Sequence, residues 1–408
     1  MKEKIRSLLN DSVWSIAGLV FMNCAAQFMV YPFWNKLFGV EKYGVIIYLI
    51  SLINIVANTI GMSCGYARIK ISSEHTTQNG EYLVILAVGG VVSAVYASLV
   101  CMFNSSDMTP RESVSYVILC CLIMMRFYAD VEYRLKINYK GYFVYYLLIG
   151  LGYMLGTYLM YLTGIWTLAL IPGELAGLLF VMLRGSIFGK DGTLSRNHLK
   201  EAVKVFVMLT VSNFLEQLVF NADRILLKHA VGDAAVSVFY ISTLLGKTAA
   251  LVTTPFNGVI SGYLARYKGR LTFKSMNILS AVSMAAALAA AGVCSVGSYI
   301  VLPILYPDTF ELAKGCIFIG NLTQTVFFTA NIITVIMLRF TPSGDQVVIG
   351  TVFAAAFAAV CIPMTVFGGS RSFYIGLLIT VSLRFMTALA AGYRQVFRER
   401  KALREDDA

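Results

Sequence analysis

A chain of 408 residues that is 58% hydrophobic and 13% charged, with mean hydropathy +0.72, has too little polar surface to close as a water-soluble globule. Its net charge of +11 and pI near 9.2 would suit nucleic acid. However, the cations sit in short connections beside apolar runs, where they face anionic headgroups, and no polar segment is long enough to fold as a nucleic-acid module.

A bilayer core of about 30 Å takes about 20 residues of helix, and runs of that length recur from end to end. They predict an all-α polytopic membrane protein with about twelve spans, at 12–34, 43–66, 82–103, 113–135, 141–162, 165–188, 203–228, 234–262, 274–303, 311–338, 345–367 and 371–393. The first run is too long for the core of a secretory signal and lacks a clear small-residue cleavage site. Trp14 and Trp34 bracket it, about 30 Å apart along a helix, as an interfacial aromatic belt would. The tightest connection is Thr163-Gly164, between spans five and six. In span eight, Pro255 removes a helical hydrogen bond and offers a bend.

Of the 33 Lys and Arg, Lys36, Lys42, Arg111, Arg224, Lys228, Lys314 and Arg371 fall on one side of the membrane, and Lys247 and Arg384 fall inside spans. All the others fall on the opposite side, Arg68 and Arg126 among them. By the positive-inside rule that side is cytoplasmic, as are both termini. Cys24, Cys64, Cys101, Cys120, Cys121, Cys294, Cys316 and Cys361 lie in or at the ends of spans without a C-x-x-C. There they act as small apolar residues. His75, His198 and His229 are isolated, so neither a metal site nor any other cofactor is expected.

The connection Gly189–Lys200 divides the spans six and six. The expected organisation is an N-terminal six-helix bundle over 1–188, a cytoplasmic loop over 189–202, a C-terminal six-helix bundle over 203–394 and a charged tail over 395–408. Sliding the chain by 193 residues lays Gly39 on Gly232 and Gly65 on Gly258, and transporters are often built from such duplicated halves. The same offset lays Asn23 on Glu216, Tyr31 on Arg224 and Asn54 on Lys247.

Helical spacing gathers the polar residues into stripes. Asn23, Gln27 and Tyr31 share a face of span one, and Asn54 and Asn58 one of span two. Asn213, Glu216, Gln217 and Arg224 share a face of span seven, with Asn221 at its edge, and Asn321, Gln324 and Asn331 mark span ten. Lipid cannot hydrogen-bond such groups, so they face other helices, as interhelical glue, or a wet cavity. Lys247 is about 20 Å into its span. It either pairs with Glu216, locking two helices, or lines the cavity as a cation for an anionic substrate. Arg384 lies nearer the cytoplasmic end of its span, within snorkelling reach. Glu174, after Pro172, joins Glu216 as a candidate coupling carboxylate.

Three stretches carry a resemblance: Asn10-Asp11-Ser12-Val13-Trp14, Leu37-Phe38-Gly39-Val40-Glu41-Lys42-Tyr43-Gly44 and Asn221-Ala222-Asp223-Arg224-Ile225-Leu226-Leu227. With the length and the six-plus-six division, the chain resembles Wzx-type polysaccharide flippases of the multidrug/oligosaccharidyl-lipid/polysaccharide (MOP) exporter superfamily. The second-half turn, Val231-Gly232-Asp233-Ala234, departs from the pattern by lacking the Tyr-Gly pair. The resemblance implies two bundles in a V around a cationic cavity, in a bacterial inner membrane. It also implies alternating-access transfer of undecaprenyl-pyrophosphate-linked oligosaccharides to the outer leaflet for surface polysaccharide synthesis. The implied partners are that lipid-linked substrate, membrane lipids, and the polysaccharide polymerase and chain-length machinery. No enzymatic activity is expected. An ion-coupled small-molecule exporter, and less so a polytopic polymerase or glycosyltransferase, are the alternatives. The first needs acidic cavity residues. The second lacks a large outward loop and an Asp-x-Asp signature.

Overall fold

A computed structural model describes residue 14 and residues 16–72, 78–189, 196–248 and 269–406. Pro255, Gly258 and His75 lie outside these residues. The described residues are mostly helical, with no strand among them, and eight of the helices are long and apolar enough to cross a membrane. It is a multi-pass membrane protein.

The elements in chain order are α1 (Ile16–Ser72), α2 (Asn79–Phe103), α3 (Pro110–Ala129), α4 (Val131–Lys136), α5 (Tyr139–Thr163) and α6 (Ile171–Arg184). There follow α7 (Arg196–Ala230), α8 (Asp233–Ser242), α9 (Leu244–Thr248), α10 (Phe273–Leu305), α11 (Pro307–Ala313), α12 (Ile317–Phe340), α13 (Ser343–Ala356) and α14 (Ile362–Asp406). Single π-helical turns interrupt the α-helical course at Ala26–Val30, Asn54–Asn58 and Phe357–Cys361.

The connections expected near residues 39 and 369 are not loops of several residues. Each is one glycine inside a 57-residue helical stretch, Ile16–Ser72 or Gly344–Arg400. Gly39 has φ 79°, ψ 175° and Gly369 has φ 66°, ψ −157°, a region that is essentially glycine-only. Gly232, which the 193-residue offset lays on Gly39, has φ 123°, ψ 175°. The two glycines therefore make the same backbone turn. Gly164 ends α5 in the left-handed conformation, φ 71°, as a helix C-terminus favours.

The chain forms two compact units, Met1–Arg224 and Ile225–Ala408. In the first, α5 and α6 approach closely through facing glycines. A Cβ on Gly152 would stand 2.3 Å from the Gly173 Cα, and one on Gly156 2.5 Å from the Ala169 carbonyl oxygen. Small residues four apart are how membrane helices bring backbones together when lipid supplies no hydrophobic drive. The start of α3 is fixed by a capping box, in which Glu112 Oε2 accepts from the Thr109 N–H at 2.8 Å and Thr109 Oγ1 accepts from the Glu112 N–H at 3.3 Å.

Two positions differ from the sequence-based expectation. Trp34 is not a belt residue. It is fully buried, its Nε1 donates to the Trp166 carbonyl at 3.1 Å, and its ring stacks on Tyr31 at 4.8 Å. Arg68 is not a juxtamembrane loop cation. It is buried at the end of α1 and donates to the Tyr128 hydroxyl at 2.6 Å and to Asn79 Oδ1 at 2.5 Å.

The second unit packs α10, α12 and α14 around small and flexible side chains. Met276, Ala330, Ile333, Met337, Phe385 and Ala388 form its buried cluster. Methionine fills the irregular gaps that alanine leaves.

Candidate functional site

Within the first unit the polar stripes of α1 and α7 are pinned together at two points. Arg224 Nη1 donates to Ser51 Oγ at 2.9 Å, and Asn213 Nδ2 donates to Ser63 Oγ at 2.8 Å. Asn213 and Arg224 are eleven residues apart on α7, just over three whole turns at about 3.6 residues per turn, so they share a face. Ser51 and Ser63 are twelve apart, which in an unbroken α-helix leaves them about 120° out of line. The π-turn at Asn54–Asn58 absorbs the extra residue and restores the register. The first stripe is corrected in the same way. Asn23 and Tyr31 would drift by about 80° in an α-helix, and the π-turn at Ala26–Val30, which contains Gln27, realigns them. Strict four-residue spacing of polar side chains was the sequence signal for both turns.

The remaining stripe residues are held locally. Asn221 Nδ2 donates to the Gln217 carbonyl at 2.8 Å and Asn221 Oδ1 accepts from Arg224 Nη1 at 2.9 Å. Asn23 Nδ2 donates to the Leu19 carbonyl at 2.8 Å. Asn54 and Asn58 are half-buried within their π-turn. The Asn58 Oδ1 is buried with no hydrogen-bond partner among the described residues. Glu216, on the same helix as Asn213, is exposed.

A second polar centre in this unit joins α3, α5 and α6. Glu174 is fully buried; its Oε2 lies 3.0 Å from Arg126 Nε, and its Oε1 accepts from the Tyr153 hydroxyl at 2.5 Å. The glycine contact of α5 with α6 sets this geometry, because Tyr153 adjoins Gly152 and Glu174 adjoins Gly173. Arg126, expected in a cytoplasmic connection, is therefore an interior residue, with the Met22 sulfur 3.9 Å from its Nη1. A lone carboxylate in a span gave the sequence signal for Glu174. Its partner lies 48 residues earlier and was hidden by its nearness to the end of an apolar run.

The second unit treats charge differently. No Asp or Glu occurs in 234–307, 312–344 or 346–398, so its carboxylates fall near the ends of the membrane-length segments. Lys247, on α9, lies with its Nζ 4.8 Å from the centre of the Phe239 ring and 5.9 Å from that of Tyr240. The Arg384 Cζ lies 4.7 Å from the centre of the Phe327 ring and 5.2 Å from that of Phe353. Arg384 is thus packed against two rings rather than stretched toward the membrane surface. A desolvated cation gains about 2 kcal/mol or more from such a face. Beside Lys247, the Gly246 N–H donates to Asn321 Oδ1 at 2.8 Å, and Asn321 Nδ2 donates to Ser298 Oγ at 3.0 Å.

The predicted residues therefore separate. Asn213, Gln217, Asn221, Arg224, Asn54 and Asn58 belong to the paired stripes of α1 and α7, while Asn23, Gln27 and Tyr31 line the earlier arm of α1. Glu174 belongs to the Arg126 centre. Lys247 belongs to the second unit, with Arg384, whose aromatic setting no sequence spacing disclosed.

No protein-family model and no curated protein matches the chain. Solved structures do. An inward-facing multidrug resistance MATE family transporter of the MOP superfamily is 12% identical, covers 95% of this chain and 99% of its own, and superposes with a TM-score of 0.70. The lipid II flippase MurJ in an inward closed conformation is 11% identical, with 94% and 90% coverage and a TM-score of 0.72. A variant of the Vibrio cholerae MATE transporter VcmN is 12% identical, with 98% and 97% coverage and a TM-score of 0.60. The chain has the fold of MOP-superfamily transporters.

Proposed function

We propose that the protein is a flippase that carries undecaprenyl-pyrophosphate-linked oligosaccharides from the cytoplasmic to the outer leaflet of a bacterial inner membrane, for surface polysaccharide synthesis. In this reading two six-helix bundles, 1–188 and 203–394, alternate access to a site at mid-depth, with both termini cytoplasmic. The observation that carries it is the charge of the second unit. Its long runs 234–307, 312–344 and 346–398 contain no carboxylate, and Lys247 is held in the first of them on aromatic rings. Buried charge is costly in a bilayer and is retained for function, and a cation held within a span on aromatic faces suits a phosphate. The polar stripes of α1 and α7, with Arg224, offer hydrogen bonds to sugar hydroxyls. The lipid II flippase among the structural neighbours supports a substrate of this class.

The second reading, an ion-coupled exporter of small molecules, draws on the MATE neighbours and on the buried Glu174. Reconstitution separates the two. A polyprenyl-diphosphate oligosaccharide is placed in liposomes, and its exposure on the far leaflet is read with a lectin; efflux of an organic cation is measured in parallel. The flippase reading expects lectin exposure that Lys247→Arg preserves and Lys247→Ala abolishes. Organic-cation efflux without lipid transfer would overturn it.

A further inference from the structure

We propose that the corner between α4 and α5 is a lipid-contact site, in which Ile137 wedges into the headgroup layer and the cations beside it hold anionic phospholipids. Ile137 is the one residue other than glycine with a positive φ among the described residues, at φ 52°, ψ 35°. It closes α4 in the Schellman pattern: the Ile137 N–H donates to the Arg134 carbonyl at 3.4 Å and the Asn138 N–H to the Tyr133 carbonyl at 3.0 Å. Glycine is usual at that left-handed position, with asparagine next, and a β-branched side chain there is an outlier. Asn138 is engaged elsewhere, because its Oδ1 accepts from the Gly141 N–H at 3.0 Å and caps α5. The turn itself gains nothing from an isoleucine, and 68% of that residue's surface is exposed. A strained residue held at the surface points to a role outside the fold.

Length decides what covers it. The segments on either side, Pro110–Lys136 and Tyr139–Thr163, are both membrane-length, and only Ile137 and Asn138 lie between them. The 25 residues of α5 extend about 37 Å, against about 30 Å for a hydrocarbon core. The excess of about 7 Å is shared between two ends and reduced by any tilt, so Ile137 lies in the headgroup layer rather than in bulk water. Charge fits the same occupant. Arg134, Lys136 and Lys140, on either side of Ile137, are exposed, as is Arg184 at the end of α6. Glu132 ties that end to α4, accepting from the Ser186 and Ile187 N–H groups at 3.0 and 3.1 Å. The acidic partners sit behind: Asp130 and Glu132 are buried, 2.5 Å from Arg134 Nη2 and from Lys136 Nζ respectively. The outward surface of the corner is thus cationic with an apolar tip, the combination that anchors to anionic headgroups.

The site is independent of what the protein carries, and takes from the proposed topology only the side of the membrane on which the corner lies. The test uses the full chain in nanodiscs of phosphatidylcholine with phosphatidylglycerol. A spin label on Ile137→Cys, with the unsubstituted chain giving the background from native cysteines, reports depth through collisions with oxygen, which enters lipid, and with a nickel chelate, which stays in water. Oxygen contact exceeding nickel contact is expected. Phosphatidylglycerol retained by the protein is counted by native mass spectrometry. Lys140→Gln and Arg184→Gln should each weaken its retention about fivefold, the worth of one cation near a charged leaflet, and raised salt should act in the same direction. Ile137→Asn suits the left-handed position better, so it should leave the unfolding midpoint unchanged or higher while weakening retention severalfold. A label in bulk water overturns the site. So does an immobilised label that neither reagent reaches, which would put a second copy of the chain there. Retention unchanged in all three of Lys140→Gln, Arg184→Gln and Ile137→Asn overturns it as well.

Discussion

Replacing Glu174 by leucine tests the interior of the first unit directly. The Glu174 side chain is fully buried and that of Arg126 is 12% exposed, so neither charge is relieved by water. Removing one partner of a buried pair costs about 3–5 kcal/mol. The Tyr153 hydroxyl, which donates to Glu174 at 2.5 Å, loses its acceptor for roughly 1–3 kcal/mol more. In a bilayer the unfolded chain also finds polar partners, so the lower end of the sum, about 4 kcal/mol, is the expected value. At about 2–4 °C per kcal/mol for a unit of this size, Glu174→Leu should lower the unfolding midpoint by roughly 8–16 °C. A thiol-reactive dye reports it through the buried Cys120, which lies on the same helix as Arg126. The combined Arg126→Leu, Tyr153→Phe and Glu174→Leu variant replaces the centre with apolar groups and should recover most of the loss, since buried pairs exchanged for packed hydrophobes are often neutral. A single variant as stable as wild type, or a triple variant no better than the single, refutes the reasoning. Transport by a stable triple variant would reduce the centre to a staple; its failure would give Glu174 a part in coupling.

Gly39→Ala and Gly232→Ala meet nothing within 4 Å, so each should lose about 1–3 kcal/mol from backbone strain alone. Thermal unfolding should show similar losses at the two sites. Deleting Ala57 converts the π-turn to α-helix while keeping Ser51 and Ser63 in register. Disulfide formation between Ser63→Cys and Asn213→Cys should survive that deletion and be lost when one alanine is inserted there instead. Trp34→Phe should cost about 1 kcal/mol, the hydrogen bond to Trp166, and Trp34→Ala about 3–5 kcal/mol. Near-neutral midpoints for both would return Trp34 to the lipid interface.

The helical membrane class was legible because each membrane-length helix must carry its own apolar residues. Gly39 and Gly232 were legible because a glycine-only turn leaves a glycine in the sequence. The stripe of Asn23, Gln27 and Tyr31 was visible, but its meaning was not: four-residue spacing drifts around an α-helix, and only the π-turn straightens it. Trp34 was misread because an interfacial and a buried tryptophan have the same sequence context when Trp166, its partner, is 132 residues away. Arg126 was misread for a related reason, since charge near a span end looks juxtamembrane until Glu174 is brought beside it. Arg384 was set aside as a snorkelling cation, because the two phenylalanines that hold it come from other helices.

The glycine turns have a consequence for comparing distant chains of this fold. Apolar spans accept leucine, isoleucine, valine and methionine with little preference, so they blur any alignment at 11–13% identity. A backbone angle that excludes every side chain does not blur. Two such points, 193 residues apart and each closing a first span, are fixed reference marks from which the residue numbering of a remote transporter can be laid onto this one.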